Sequence, residues 1–452
     1  MPRITFLGAG SSVFAKNVLG DCILSNELSD LEIFLHDIDT VRLEESREML
    51  EKILLFCGKK ADIRTFADRR ESLKGAGYIV NAVQVGGYDP CTITDFEIPK
   101  KFGLKQTIAD TLGIGGIFRT LRTIPVMEDF AHDIEELCPE ALFINYTNPM
   151  AMLTGYMQRY TGVKTVGLCH SVQVCVPHLL HNLHMQDKLE GVKSEIAGIN
   201  HQSWLLKIED KDGNDLYPEI KRRAADFLSG KVDYPMPEVK LHGMGEGADK
   251  DRVRLELMLK FGYYITESSE HNAEYTPYFI KRNYPELIER YNIPIDEYLR
   301  RCIRNIDRWA SQREELLGNA TLAHESSDEY AAKIIAAMEN DTPYRVGGNV
   351  LNRGLITNLP QNACVEVPCL VDRNGISPTI CGDLPEQCAA LNRTNVNVHL
   401  MTIQAARTKK REDVYRAAML DPHTAAELSM DDIIAMCDEL IEAHGDWLPK
   451  YH

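Results

Sequence analysis

The sequence predicts an α/β protein, with a doubly wound parallel sheet in its first half and an α+β region after it. Three observations carry that expectation. Short apolar runs alternate with helix-length amphipathic stretches through the first half. A glycine-rich turn joins the first run to the first helical stretch. Beyond about residue 195 the alternation gives way to a hairpin pattern, charged helical stretches and a helical tail.

Residues 3–7 (RITFL) read as a strand, 8–12 as a tight turn and 13–24 as a helix, with Val, Leu, Cys and Ile at helical spacing. A strand at 31–35 and a helix at 42–56 repeat the unit. Further strands are expected at 62–66, 78–83, 141–145 and 165–168, and helices at 120–137 and 149–160. In the second half, 204–208 with a turn at 210–213 suggests an antiparallel hairpin. Helices are expected at 285–291, 295–317 and 328–338, strands at 349–360 and 363–371 with a turn at 373–375, and helices over most of 384–408 and 410–448. The boundary falls near 195, dividing a nucleotide-binding domain (1–195) from a C-terminal α+β domain (196–452) that carries catalytic and oligomerisation surfaces. With no Pro/Ser linker and no repeat, the halves are expected to pack tightly around a shared site.

The 452 residues are 44% apolar, enough for a large core, and carry a formal charge of −17. That charge repels phosphate backbones and anionic membranes, so neither nucleic acid nor a membrane is an expected partner. No run approaches the roughly 18 apolar residues of a membrane helix, and the opening residues are too short an apolar stretch for a secretory core. The 12 scattered cysteines then read as cytosolic thiols, mostly buried small hydrophobes, and the expected location is the cytoplasm.

Gly8-Ala-Gly10-Ser11-Ser12-Val13 follows a strand and opens a helix. Glycines let the backbone turn sharply and approach a pyrophosphate, and the helix start offers free N–H groups. Two of the usual three glycines are present, since Val13 takes the third place. Asp37 ends the second strand about 20 residues after the helix start, where a carboxylate binds the ribose hydroxyls of NAD and repels the 2′-phosphate of NADP. Asp39 is an alternative for that role, and a plain helix N-cap is the alternative role for Asp37. Asn81 sits near the end of its strand, either beside a cofactor or as a turn residue. These features make the first half Rossmann-like.

Three further strand ends carry polar residues: Asn145-Tyr-Thr-Asn148-Pro149, Cys169-His170-Ser171 and Asn200-His201. If they converge, a thiolate and an imidazole with open positions suit a borderline divalent ion that also binds substrate oxygens. A core cysteine and a surface histidine are the competing reading. Asp110-Thr-Leu-Gly113-Ile-Gly115-Gly116, with Arg119 and Arg122, reads as a glycine-rich loop able to close over a ligand, or as an ordinary helix start with a solvated basic face. Residues 267–278, with Glu267, Glu270, His271, Glu274, Tyr275 and Tyr278, are dense in titratable groups, as active sites and solvated loops both are.

The blocks GAGSSVFAKNVLGD, GGYDPCTITDFEIPKKFGLKQTIADTLGIGGIFRTLRTIP, NYTNPMAM, VGLCHSVQ, AGINH, TESSEHNAEYTPYFIK, NLPQNACVEVPCLVD, DPHTAAEL and IEAHGDWLP resemble glycoside hydrolase family 4. The likeness is colinear from about residue 3 to about residue 450, and its nearest branch is the melibiase-type α-galactosidases. The resemblance implies a fold like lactate and malate dehydrogenases, bound NAD and usually Mn²⁺, and a homodimer or homotetramer. It implies glycoside hydrolysis without the usual carboxylate pair: oxidation at C3, proton removal at C2 with loss of the C1–O bond, addition of water and re-reduction. Cys169 and His201 match the family's metal ligands, and Asn148 its substrate-binding asparagine. His170 stands where several members carry an acidic aspartate. Tyr275 aligns with a tyrosine that acts as C2 base in phospho-sugar members, while other members place an aspartate near Ser269 and Glu270. The base is thus Tyr275, Glu270 or Tyr278. Asp110 sits where a related member has a carboxylate near the sugar, with Arg119 as a further substrate contact. No basic cradle beyond Arg119 and Arg122 stands out, so a neutral α-galactoside of the melibiose or raffinose type is expected. α-Galacturonides and α-glucosides are the sister alternatives, and a simple NAD-dependent 2-hydroxyacid dehydrogenase is the other.

Overall fold

The computed structural model describes residues 2–235, 247–327 and 329–452. Six strands of the first half are β1 (Arg3–Leu7), β2 (Leu31–His36), β3 (Ala61–Phe66), β4 (Tyr78–Asn81), β5 (Leu142–Asn145) and β6 (Lys164–Gly167). They lie parallel in the order β3-β2-β1-β4-β5-β6, the order of a doubly wound dinucleotide-binding sheet. Their register aligns the ends that matter. Leu7 pairs with Asn81, Asn81 with Asn145, and Asn145 with Gly167, so four carboxyl ends form one row.

The sheet continues past β6 without a break. β7 (Lys193–Ile199), β8 (Gln202–Glu209), β9 (Tyr264–Ile265), β10 (Tyr344–Leu351), β11 (Cys364–Asp372) and β12 (Gly375–Pro378) complete 12 strands. β10 runs antiparallel beside β6, followed by β11, β7, β8 and β9, each antiparallel to its neighbour, with β12 on β11. β7 is therefore not another parallel strand, as the row of polar strand ends had suggested. It turns back into β8 through Asn200 and His201 alone, with Ile199 opposite Gln202. The expected turn at 210–213 closes the far end of β8, where the Gly213 N–H donates to the Asp210 carbonyl at 3.0 Å.

Other boundaries shift for local reasons. The strand expected at 349–360 is Tyr344–Leu351, because the Asn352 side chain ties up the backbone beyond it. Its Nδ2 donates to the carbonyls of Ile356 (2.9 Å) and Leu359 (3.1 Å), and its Oδ1 accepts from the Ile356 N–H at 2.7 Å. The tail at 410–448 is three helices, Arg411–Leu420, Pro422–Glu427 and Met430–His444. Pro422 opens the second, and Asp421 caps it by accepting the Thr424 N–H at 2.8 Å. The helix expected at 328–338 is Ala331–Asn340; residue 328 lies outside the described residues.

The helix expected at 120–137 starts seven residues earlier, as Gly113–Leu137. The glycines are thus not a loop closing over a ligand. A Cβ on Gly115 would lie 2.5 Å from the Ala109 carbonyl oxygen, and one on Gly116 2.7 Å from the Thr111 carbonyl carbon. Their absence of side chain lets residues 109–111 lie flat on the helix. Arg122 on that helix is neither solvated nor a ligand holder. It is buried against Asp95, at 2.6 Å, and Asp95 also meets His444 of the tail at 2.9 Å.

Alternate sides of the sheet hold separate cores. Ile4, Phe6, Ile33 and Leu35 pack toward the helices Ser12–Leu24, Thr40–Cys57 and Ala331–Asn340. Leu7, Ile79 and Phe143 pack toward Gly113–Leu137 and, beyond it, the C-terminal helices through Val398, Ile403, Val414 and Met436. The period of two in the strands sends neighbours to opposite faces, so a parallel strand is apolar throughout.

Gly8 follows β1 at φ +89°, and a Cβ there would stand 2.9 Å from the Ala82 carbonyl. Gly8→Ala is expected to cost about 1–3 kcal/mol of stability from strain and the backbone clash. A denaturant midpoint equal to that of the parent protein would show that the turn tolerates a side chain.

Candidate active site

At the first turn, Asp37 reaches back from the end of β2. Its Oδ2 accepts the Gly10 N–H at 2.7 Å and its Oδ1 the Asp39 N–H at 2.8 Å. A Cβ on Gly10 would lie 2.8 Å from that carboxylate, so glycine is what admits it. The helix cap is Asp39, which accepts the N–H groups of Val41 and Arg42, both at 3.1 Å. Asp39, rather than Asp37, is therefore the helix cap. Ser11 opens onto a large cavity, whereas Ser12 is buried, with its hydroxyl 3.3 Å from the Gly10 carbonyl. Asn81 is fully buried beneath the cavity. It donates to Asn145 Oδ1 at 2.9 Å and to Thr147 Oγ1 at 3.2 Å, while Thr147 donates to the Val83 carbonyl at 3.0 Å. Asn81 therefore ties the strand ends together rather than facing the cavity.

The cavity measures about 1160 Å³ and lies along the row of carboxyl ends. Ser11, Asp110, Arg119, Asn148, Cys169, His170, His201 and Glu270 all line it. Cys169 and His201 do converge, and Glu267 joins them: one donor atom from each lies within 4.8 Å of the others, all buried. Cys169 follows β6, His201 tips the β7–β8 hairpin and Glu267 follows β9. His201 and Glu267 both adopt left-handed backbone, at φ +61° and +64°, a conformation that non-glycine residues rarely hold without cause.

An alternating chain of acids and imidazoles runs through the site. Asp110 Oδ1 lies 3.6 Å from His271 Nε2, His271 Nδ1 3.4 Å from Glu267 Oε1, Glu267 Oε2 3.5 Å from His201 Nε2, and His201 Nδ1 3.2 Å from the Tyr275 hydroxyl. Burial pushes both carboxyls up, but the positive neighbours win. His271, Arg119 and His201 hold Asp110 below the usual carboxylate range, and His201, His271, His170 and Arg254 hold Glu267 at about 2. Burial, with Glu267 and Glu366 nearby, pushes the Cys169 thiol well up. A thiolate there needs a cation beside it, and sulfur, imidazole and carboxylate together are a fitting donor set for a borderline divalent ion.

The wall opposite is built by the turn at 105–112. Glu274 is buried and accepts the N–H groups of Thr107 and Ala109, each at 2.8 Å, while Thr107 Oγ1 donates to the Glu270 carbonyl at 2.7 Å. Burial lifts the Glu274 carboxyl to about 7 against the pull of those amides. The turn presents Asp110, whose Oδ2 accepts from Asn148 Nδ2 at 3.4 Å. Arg119 donates to the Asn148 carbonyl at 3.2 Å and to the Tyr298 hydroxyl at 3.3 Å.

Of the three candidates for the base, Tyr275 is fully buried with its hydroxyl on His201, and burial plus Asp110, Glu274 and Glu267 keep its phenol well above its ordinary range. Glu270 lines the cavity but meets Arg301 at 3.2 Å. Tyr278 is exposed, packed against Phe261 and away from the cavity. His170 lies on the cavity wall beside Cys169. The cavity also holds more cations than the sequence suggested, but most are engaged: Arg254 meets Asp251 at 2.5 Å, and Arg301 meets both Glu270 and Glu297. Glu267, His271, Tyr298 and Arg301 were not singled out individually from sequence. The titratable density at 267–278 was the signal for Glu267 and His271; Tyr298 and Arg301 fell within the helix expected at 295–317, with no site signal.

Fold and site together define an α/β protein of the dinucleotide-binding class with a donor set for a divalent cation at its strand ends. Residues 3–185 match the description "Family 4 glycosyl hydrolase", and residues 196–424 match "Family 4 glycosyl hydrolase C-terminal domain". The chain belongs to glycosyl hydrolase family 4. It is 59% identical over 451 residues to an alpha-galactosidase of Bacillus subtilis (strain 168), covering 100% of both chains. It is 34% identical to an alpha-galactosidase of Rhizobium meliloti (strain 1021), covering 99% of this chain and 89% of the relative. Among solved structures, a 6-phospho-alpha-glucosidase from gut microorganisms, in complex with NAD and Mn²⁺, superposes with a TM-score of 0.81 at 20% identity, covering 100% of each chain. No helix among the described residues is long and apolar enough to cross a membrane.

Without a bound cation, the stabilisation that Glu267 draws from its imidazoles is present above the usual glutamate value of 4.5 and is lost as pH falls toward about 2. Glu267→Gln is expected to flatten a plot of denaturant midpoint against pH in that window. An unchanged slope would show that the carboxylate is not held by its neighbours.

Proposed function

We propose that this family 4 chain hydrolyses α-galactosides of the melibiose or raffinose type by oxidation, elimination, addition and reduction, using NAD⁺ and Mn²⁺ or a similar divalent cation. The observation that carries the reading is the convergence of Cys169, His201 and Glu267 in a cavity that also reaches the Ser11 turn. The 59% identity to an alpha-galactosidase over the full chain supports the glycone, and the NAD and Mn²⁺ bound by a relative of the same fold support the cofactors. The largely paired arginines of the cavity favour a neutral sugar over a phosphorylated one.

When bound, NAD⁺ supplies a hydride acceptor and the cation a Lewis acid. Gly8, Gly10 and Ser11 form the phosphate turn, with Asp37 set for ribose hydroxyls and Ser12 and Asn81 bracing the turn and the strand ends. Cys169, His201 and Glu267 hold the cation. Asn148, Arg119 and Asp110 grip the sugar hydroxyls, and their mutual contacts fix them before substrate arrives. Tyr275 takes the C2 proton. Burial, and then the carboxylates around it, make its phenol costly to ionise, and positive charge in the neighbouring donor set lowers that cost. His170 gives a proton to the departing oxygen, and Glu270 orients Arg301 at the wall. In this reading residues 1–195 hold the cofactor, and residues 196–452 supply His201, Glu267 and the subunit contacts of a homodimer or homotetramer. A reducing cytoplasm suits the 12 free thiols.

A panel of nitrophenyl glycosides is expected to give cleavage of the α-galactoside only with NAD⁺, Mn²⁺ and a reductant all present. Preferred cleavage of an α-galacturonide or α-glucoside would shift the glycone, and net NADH accumulation with a hydroxyacid would replace a hydrolase with a dehydrogenase. Cys169→Ser is expected to weaken Mn²⁺ binding by about 100-fold and abolish turnover with the fold retained; full activity in EDTA contradicts the cation's role. Substrate deuterated at C2 is expected to lose label to solvent during turnover, and complete retention would rule out elimination.

A further inference from the structure

The helix Glu297–Gly318 is 22 residues long, and none of its residues is buried. It spans roughly 33 Å at 1.5 Å per residue, and what holds it is its two ends. At the start, the Asp296 N–H donates to the Gln106 carbonyl (2.9 Å) and the Tyr298 N–H to the Thr107 carbonyl (3.0 Å), on the turn that presents Asp110. At the finish, Arg313 meets Glu45 at 2.5 Å, Lys52 donates to the Leu317 carbonyl, and the Leu322 N–H donates to the Lys52 carbonyl at 3.3 Å. Glu45 and Lys52 belong to the helix Thr40–Cys57, which begins just after Asp37. The long helix therefore runs from the turn that presents Asp110 to the helix that follows Asp37.

Tyr298, Arg301 and Arg308 share one face at spacings of three and seven, and all three line the cavity. Tyr298 is engaged by Arg119, and Arg301 by Glu270 and Glu297. Arg308 is exposed and has no carboxylate partner among the described residues. It lies roughly 10 Å along the axis from Arg301 and about 7 Å before Arg313. Arg308 lines the same cavity as Ser11 and Phe14, which stand at the start of the helix Ser12–Leu24, where free N–H groups attract an anion.

We propose that Arg308 is the arm that holds the cofactor's pyrophosphate, carried across the cleft by the helix Glu297–Gly318. The proposal rests on the reading of this cavity as an NAD site. A guanidinium facing a helix start gives a diphosphate positive partners on both sides, and in a chain of net charge −17 such a cation also offsets the unfavourable field on a dianion.

Calorimetric titration of the sugar-free protein with NAD⁺ and with ADP-ribose tests it. Arg308→Gln is expected to raise the Kd of both about tenfold or more at low salt, as loss of a charge-assisted bond does. The gap is expected to narrow as salt rises, and Arg308→Lys is expected to recover part of the affinity. Because Arg308 is exposed and makes no described ion pair, the variants are expected to fold as the parent does. Equal Kd values for parent and Arg308→Gln overturn the proposal, as does an unchanged NAD⁺ Kd with a raised galactoside KM, which would put the arm on the sugar. Failure of the parent protein to bind NAD⁺ at all would instead strike the cofactor reading beneath it.

Discussion

Alternation of charge among buried side chains is the constraint on which this site depends. Asp110, His271, Glu267, His201 and Tyr275 follow one another at 3.2–3.6 Å, each acid beside an imidazole. Burying carboxylates without partners costs several kcal/mol apiece, so neither Asp110 nor Glu267 survives there as an anion without its histidines. Burial first, and the nearby carboxylates second, leave the Cys169 thiol and the Tyr275 phenol reluctant to ionise. A cation held between sulfur, imidazole and carboxylate reverses that balance for both. The donor atoms of Cys169, His201 and Glu267 lie within 4.8 Å of one another.

Holding such a chain requires backbone that most residues avoid. His201 at φ +61°, Glu267 at +64° and Ala109 at +51° sit at or beside the chain's members. Each belongs to a turn whose surroundings over-determine it. His201 is the second residue of a two-residue hairpin tip, and of the pair it is His201, not Asn200, that takes positive φ. Ala109 is clamped by Glu274 from one side and lies against Gly115 on the other. The wall carrying Asp110 is therefore set by a buried carboxylate and two absent side chains, at a distance from any substrate.

The two halves of the chain do not divide this labour cleanly. Cys169, Asp110 and Asn148 come from the first, and His201, Glu267, His271 and Tyr275 from the second, yet all strands lie in one sheet and the C-terminal helices share a core with Gly113–Leu137. Asp95, paired with Arg122 and His444, pins the tail to that helix. The site is consequently as rigid as the sheet that runs through both halves.

Much was legible in the sequence because it is local. Short apolar runs mark β1 and β4, the glycines mark the turn where a Cβ would come within 3 Å of Ala82 and Asp37, and the colinear blocks point to the family and to Cys169 and His201. What sequence could not decide is which way a side chain faces and what meets it. Ser12 and Asn81 stand next to cavity positions but point into the core, because a one-residue step in a strand or turn reverses direction. Arg122 is one helical turn from Arg119 and is buried against Asp95 instead of reaching the cavity. Glu267 joined the donor set only through the antiparallel pairing of β8 with β9, and Arg301 and Arg308 only through a helix anchored at both ends. Local backbone preference is written in neighbouring residues; contact between segments far apart in the chain exists only once the sheet has closed, and only tertiary structure decides it.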